Sequence, residues 1–282
     1  MDEYPINAGK PEKRNSQLIV LSAEELLQLE VPPRELLLSP WLPSQGLCMI
    51  HGWRGGGKTW LSMAVAHAIS CGSDLLNWKT TKPSGVLYVD GELPLSLLKE
   101  RLTKTTESII SDRKKPFMFL TPDCQKRGLP DLSAIEGQMQ IEALLDDEIE
   151  LVVLDNLSCL QRSGEENKAE SWSQMQEWLL RLRSQGKSVL IVHHTGKSGK
   201  QRGTSKREDV LDTVIQLKPI NEESEHLGAS FEIHFEKTRG FFGDETLPIV
   251  ANFSVDKNNH PQWSWGKNEE STLEKVLRMS DE

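Results

Sequence analysis

Five short apolar runs frame the chain: LCMIHG (47–52), VLYVDG (86–91), FMFL (117–120), LVVLD (151–155) and VLIVHH (189–194). Each is a continuous stretch rather than an alternation of apolar and polar residues, which suits strands buried on both faces. Between the fourth and fifth lies SWSQMQEWLLRLRSQG. Its Trp172, Met175, Trp178, Leu179 and Leu182 recur at three- and four-residue steps, the stripe of an amphipathic helix. Ser171 with Gln174 fits a capping box, and Gly186 suits the stop. Strands alternating with helices predict βαβ units and an α/β fold with a mostly parallel sheet. Beyond residue 208 the helical periods thin out. VLDTVIQLK, SFEIHFEKTR and LPIVANFSV read as further strands, with the alternation of an antiparallel extension.

Around this core the pattern divides the chain into four parts. Residues 1–17 carry little to bury and read as a disordered tail. Residues 18–45 form an N-terminal strap, with a short amphipathic AEELLQL followed by a stretch whose prolines forbid a continuous helix. Residues 46–257 form the main domain. Residues 258–282 form a C-terminal tail, in which Leu273, Val276 and Leu277 begin a short helix suited to docking a protein partner.

Composition narrows the class. With 37% hydrophobic residues and four scattered cysteines that form no C-x-x-C pair, a packed core is expected, without a disulfide framework or a zinc site. No apolar run nears the ~20 residues of a membrane helix, and the polar start lacks the apolar segment of a signal peptide. A soluble, cytoplasmic protein with no membrane association is therefore expected. The net charge of −9 removes the simple case for coating nucleic acid by charge, so any such contact must come from a local basic patch.

One motif carries the chemistry. Gly52-Trp53-Arg54-Gly55-Gly56-Gly57-Lys58-Thr59 matches G-x-x-x-x-G-K-[ST] in full, with an apolar strand before it and the helical pattern WLSMAVAHAI, opening at Trp60, after it; Gly52 through Trp60 are the expected nucleotide-binding residues. Glycines let backbone N–H groups turn toward a β-phosphate, and the helix N-terminus adds positive potential. Lys58 supplies a charge for the β- and γ-phosphates, and the Thr59 hydroxyl is a candidate Mg²⁺ ligand. Asp155, closing the fourth apolar run, is the matching second anchor for the ion. ATP and Mg²⁺ are thus the expected cofactors.

Further stretches suggest a family. Val86-Leu87-Tyr88-Val89-Asp90-Gly91-Glu92 ends in a carboxylate pair and resembles the RecA-like ATPases, in which a Glu just past this strand activates the attacking water. The resemblance implies Glu92 as catalytic base, with Asp90 as the alternative. Val192-His193-His194-Thr195-Gly196-Lys197 resembles the strand end where that superfamily places a polar γ-phosphate sensor; His194 is favoured, His193 next. Arg202-Gly203-Thr204-Ser205 with the later Asp212-Thr213-Val214 is similar to RadA-like repair ATPases and RepA-type plasmid replication ATPases. Lys237-Thr238-Arg239 resembles the K-x-R pattern of DnaB-type helicases, implying that Lys237 and Arg239 reach a neighbouring subunit's nucleotide, where an Arg finger stabilises the transferring phosphoryl group. Arg202 is the competing finger.

The resemblance spans about residues 36–257. It implies a RecA-like P-loop NTPase core of the RepA-like AAA kind, and a homo-oligomer, either a ring (a hexamer by analogy) or a filament. Departures are the bulky Trp53 and Arg54 within the loop, and the lack of a helicase collar domain or a zinc-binding module. Residues 196–208 place Lys197, Lys200, Arg202, Lys206 and Arg207 among glycines and serines, a composition suited to single-stranded DNA backbone without base reading. The leading expectation is a DNA-stimulated ATPase acting in replication of a mobile element. The alternative is an ATP-dependent assembly switch that recruits a protein partner. A metabolic kinase ranks third, for want of an acceptor signature.

Overall fold

The computed structural model describes residues 19–31, 33–112, 114–162, 169–194, 208–220, 227–258 and 260–267. They fall into two units that meet in sequence at Arg34 and Glu35. The first contains one helix, α1 (Ala23–Gln28). Its start is fixed by the capping box of Ser22 and Glu25: the Ser22 hydroxyl accepts from the Glu25 amide at 3.1 Å, and the Glu25 carboxylate accepts from the Ser22 amide at 2.7 Å.

The second unit opens with a small antiparallel pair, β1 (Leu36–Leu38) and β2 (Leu42–Pro43). The strap expected over 18–45 is therefore divided: from Glu35 onward it belongs to the main unit and forms this strand pair and its turns. The rest of that unit is one nine-stranded sheet. In chain order its elements are β3 (Leu47–Gly52), α2 (Lys58–Cys71), β4 (Gly85–Asp90), α3 (Leu95–Ser108), β5 (Phe117–Leu120), α4 (Ile135–Glu142), β6 (Ile149–Asp155), α5 (Leu157–Leu160), α6 (Ala169–Ser184), β7 (Ser188–His194), β8 (Thr213–Pro219), β9 (Leu227–Thr238), β10 (Ile249–Val255) and β11 (Pro261–Lys267). The spatial order is β11-β10-β9-β8-β3-β7-β6-β4-β5. The six strands from β8 to β5 run parallel, and β9, β10 and β11 add antiparallel pairs at one side.

Strand parity sorts the core into two layers. Cys48, Ile50, Val86, Tyr88, Leu151, Val153, Leu190 and Val192 face α2 and α3. Leu47, Met49, Leu87, Val89, Val152, Leu154, Val189 and Ile191 face α4, α5 and α6. Helices on both faces explain why the parallel strands read as unbroken apolar runs. The α6 stripe is buried as its periodicity predicts: Trp172, Met175, Trp178, Leu179 and Leu182 are each at most 4% exposed. The helix starts at Ala169, however, so Ser171 lies inside its first turn and is not its cap. Alanine and glutamate are good helix formers, and they extend the helix past the capping signature. Gly186 sits at φ +84°, the left-handed stop expected of it.

Two further differences matter for the site. The sheet does not end at residue 257: PQWSWGK forms β11, paired along β10 from Val255↔Pro261 to Ile249↔Lys267. Its leading proline and exposed polar positions hide it as an edge strand. The Asp212-Thr213-Val214 stretch, noted for its family likeness, serves the opposite edge of the sheet. The Leu47 amide donates to Asp212 Oδ2 at 2.9 Å, the Asp212 amide donates to the Leu47 carbonyl at 2.7 Å, and the Thr213 hydroxyl donates to the Trp41 carbonyl at 2.8 Å. These bonds anchor the start of β3 rather than its functional end. Among the described residues no helix is long and apolar enough to cross a membrane.

Candidate functional site

The site lies at the carboxyl ends of the parallel strands, where open α/β sheets bind ligands. Gly52 ends β3, Asp90 ends β4, Asp155 ends β6 and His194 ends β7. Residues 53–57 turn between β3 and α2, with Gly55 at φ +75° and Gly57 at φ +82°. Gly57 serves two purposes. Only glycine adopts that backbone conformation without penalty, and a Cβ there would lie 2.5 Å from the Phe231 ring and 3.0 Å from the Ala229 Cβ. The antiparallel extension thus props the loop from below.

Lys58 opens α2 and is buried. Its Nζ crosses the loop to donate to the Gly52 carbonyl at 3.0 Å and the Trp53 carbonyl at 2.6 Å. Burial lowers its pKa to about 8, against the opposing pull of the Asp155 and Glu92 carboxylates. An ammonium held this way is poised to gain from a nearby anion. Trp53 and Arg54 project outward from the loop, Trp53 being 47% exposed. Trp60 does not join the loop: it turns away to stack on Phe253 at 4.6 Å, with the Arg101 guanidinium 5.4 Å above its ring.

Strand register builds the acidic side. Asp90 on β4 aligns with Asp155 on β6, and Tyr88 sits two residues back on the same face. The Tyr88 hydroxyl donates to Asp155 Oδ2 at 2.6 Å and lies 2.8 Å from the Ser62 hydroxyl of α2, which donates on to the Thr59 carbonyl at 3.2 Å. Asp155 also receives a hydrogen bond from the Thr59 hydroxyl. Burial raises the Asp155 pKa, and its hydrogen bonds from Tyr88 and Thr59 oppose that rise. Asp90 is pushed up to about 7 by burial and by the Asp155 charge, although the Leu93 amide donates to it at 3.1 Å. Among the described residues no group of three His, Cys, Asp or Glu is placed to hold a metal ion. The hydroxyl of Thr59 beside the carboxylate of Asp155 is instead the sparse hard-oxygen set with which Mg²⁺ is held when phosphates complete its shell.

Glu92 stands just past β4 with a half-exposed carboxylate. Its Oε2 accepts from Asn156 Nδ2 and lies 3.6 Å from His194 Nε2. Asn156 Nδ2 also lies 3.1 Å from His194 Nε2, so one amide bridges the two. The His194 pKa is lowered by burial and by the Lys58 charge. His193 is buried and, by strand alternation, points to the opposite face of the sheet.

The structure therefore brings Lys58, Thr59, Asp155, Glu92 and His194 into one cluster, joined by Asn156, Tyr88 and Ser62, which the sequence reading did not single out. It holds Lys237 and Arg239 elsewhere: both donate to backbone carbonyls of their own chain, Lys237 to Glu208 and Arg239 to Asp209. Lys197, Lys200, Arg202, Lys206 and Arg207, and the helix expected after residue 270, lie outside the described residues.

Comparisons with known proteins agree with this fold. A family model described as an AAA domain (AAA_25) matches residues 11–200, which contain the phosphate loop, Glu92, Asp155 and His194. No curated protein matches the chain. Among solved structures, a KaiC-like protein of the hyperthermophilic archaeon Pyrococcus horikoshii superposes with a TM-score of 0.52 over 81% of this chain and 93% of its own, at 13% identity. That likeness bears on the fold alone, which is the RecA-like α/β arrangement of a mostly parallel sheet between helices with antiparallel strands at its C-terminal side. With two thirds of its length matched by the family model, the chain belongs to the AAA domain family.

Proposed function

We propose that the protein binds ATP with Mg²⁺ and hydrolyses it, as an oligomer that acts on nucleic acid. The observation that carries the reading is the convergence, at the carboxyl edge of one parallel sheet, of a glycine-turned loop, the Lys58 ammonium, the Thr59–Asp155 oxygen pair and the Glu92 carboxylate. The positive-φ glycines and the N-terminus of a 14-residue helix form an anion cradle. Lys58 adds charge to the transferring group, and Thr59 and Asp155 would hold the ion, whose charge offsets that developing on the phosphates.

Glu92 is the proposed base. It reaches into the cluster from a loop open to water, and Asn156 fixes its orientation, as an acceptor of a water proton requires. Asp90, buried and committed to the Leu93 amide, is the weaker candidate. His194, beside both Asn156 and Glu92, is placed to sense the terminal phosphate and pass its presence to the base.

Oligomerisation enters through Lys237 and Arg239. Lys237 and Arg239 rest on the turn at Glu208 and Asp209, and their proposed role is on a neighbouring subunit's nucleotide. Nucleic-acid action rests on the basic composition of residues 196–208. A second reading, an assembly switch that binds ATP and recruits a protein, is favoured by the net charge of −9. The decisive test is ATPase rate against protein concentration, with and without single-stranded DNA. The proposal expects specific activity to rise with concentration and to rise again with DNA. Flat DNA dependence with an ATP-driven change in size selects the switch, and no turnover at any concentration rejects the enzymatic reading.

A further inference from the structure

The face of the sheet turned away from α2 carries a polar row at the level of the site. In register across four neighbouring strands stand His193 on β7, His51 on β3, Gln216 on β8 and His234 on β9. His51 and His193 are each 1% exposed. Such groups are costly to bury beside an apolar layer. Each lies next to a residue of the proposed machinery: His193 precedes His194, and His51 precedes Gly52.

The row is closed by Glu236, which precedes Lys237. Its Oε2 lies 2.6 Å from His51 Nε2, and that partnership holds the carboxyl below its ordinary pKa. Glu236 reaches His51 because of an irregularity in the sheet. Val214 aligns with Lys237 but Ile215 aligns with Phe235, so Glu236 is the extra residue of a β-bulge. Bulges re-aim side chains and cluster beside active sites. Here the bulge sends Glu236 across β8 to the strand that ends in the phosphate loop, three residues before Arg239.

We infer that Glu236 and His51 are a positioning pair, tying the phosphate-loop strand to the strand that carries Lys237 and leads directly into Arg239, so that the loop's position sets where those cations are presented to a neighbouring subunit. The inference rests on the intersubunit reading above. His51 Nδ1 finds no partner among the described residues, so the ring is held through Nε2, and the His51–Glu236 contact is a side-chain tie across β8.

The test is a set of full-length variants assayed for ATP binding and for kcat and KM at saturating protein concentration. Glu236→Ala is expected to leave ATP affinity within about twofold and to lower kcat about tenfold with KM unchanged, the pattern of a group acting only on the reacting complex. Glu236→Gln, whose amide oxygen still accepts from His51, is expected to restore kcat to within about twofold. Glu236→Ala with Arg239→Ala should be no slower than Arg239→Ala alone, because the two act as a unit. Additive losses, or a Glu236→Ala kcat equal to wild type, overturn the inference. Should Glu236→Ala not fold, His51→Gln, which still donates to Glu236, must outpace His51→Leu; equal rates overturn it. A wild-type rate independent of protein concentration removes the intersubunit reading itself, a distinct failure.

Discussion

Removing one oxygen atom tests how the acidic side of the site is held. In Tyr88→Phe the ring and its buried packing stay, and only the hydroxyl is lost. That hydroxyl donates to Asp155 at 2.6 Å and meets the Ser62 hydroxyl at 2.8 Å. Ser62 retains its bond to the Thr59 carbonyl at 3.2 Å, so little of the cost falls there. Asp155, 3% exposed, loses a donor to a desolvated carboxylate, and a hydrogen bond to a charged group contributes about 1.5–3 kcal/mol. A loss of about 2 kcal/mol is expected, roughly 4–8 °C in thermal midpoint for a domain of this size. The Tyr88 bond opposes the burial-driven rise of the Asp155 pKa, so it stabilises the ionised form more than the protonated one. The loss in the variant must therefore grow as pH rises and shrink as Asp155 takes up a proton. Denaturant titrations of both proteins at pH 8 measure its size. A difference below about 0.5 kcal/mol refutes the reasoning, since that is within the range of an inert surface change.

Three other outcomes follow from the same geometry. Gly57→Ala should destabilise the fold and abolish ATP binding, whereas Gly55→Ala, with nothing within 4 Å of its Cβ, should cost only the roughly 1–2 kcal/mol of a left-handed alanine; calorimetry of both, with equal losses, would disprove the buttress from Phe231. Asp90 is raised to about 7 in the fold from 3.8, so the folded state binds its proton more tightly and the group's penalty appears as pH rises from about 4 to 7. Asp90→Asn should therefore gain stability over wild type by about 1–3 kcal/mol between pH 5 and pH 8, and a pH-independent difference contradicts that assignment. Glu92→Gln keeps an oxygen for Asn156 but cannot take a proton; turnover should fall at least about a hundredfold with ATP affinity preserved, and near-normal turnover would move the base elsewhere.

The parallel core was legible because its strands are covered on both faces, leaving runs such as 151–154 and 189–192 without polar interruption. The same logic failed for β11, an edge strand whose outward positions are polar and whose first residue is proline. Local motifs exposed the phosphate loop, since a loop that wraps a phosphate must write its glycines and lysine consecutively. Asn156 was legible only as half of itself: its Oδ1 caps α5 by accepting from the Cys159 amide at 3.2 Å, a role the local pattern allows. Its Nδ2 contact with Glu92 joins residues 64 apart, and no window of sequence contains both. Tyr88 is similar. Its place on β4, two residues before Asp90, fixes its face, but its bond to Asp155 depends on β4 and β6 lying side by side. The Glu236 bulge was invisible for the same reason, because a bulge exists only relative to a partner strand.

The central claim is that residues 52–59 grip a triphosphate through backbone amides and the Lys58 ammonium. Calorimetric titration of ATP with Mg²⁺ into the wild-type chain and into Lys58→Ala tests it without relying on turnover, DNA or assembly. Saturable one-to-one binding by the wild type and a loss of at least about tenfold in the variant are expected, the scale of one charge-assisted contact. Equal affinity in the two proteins, or no binding by either, contradicts it.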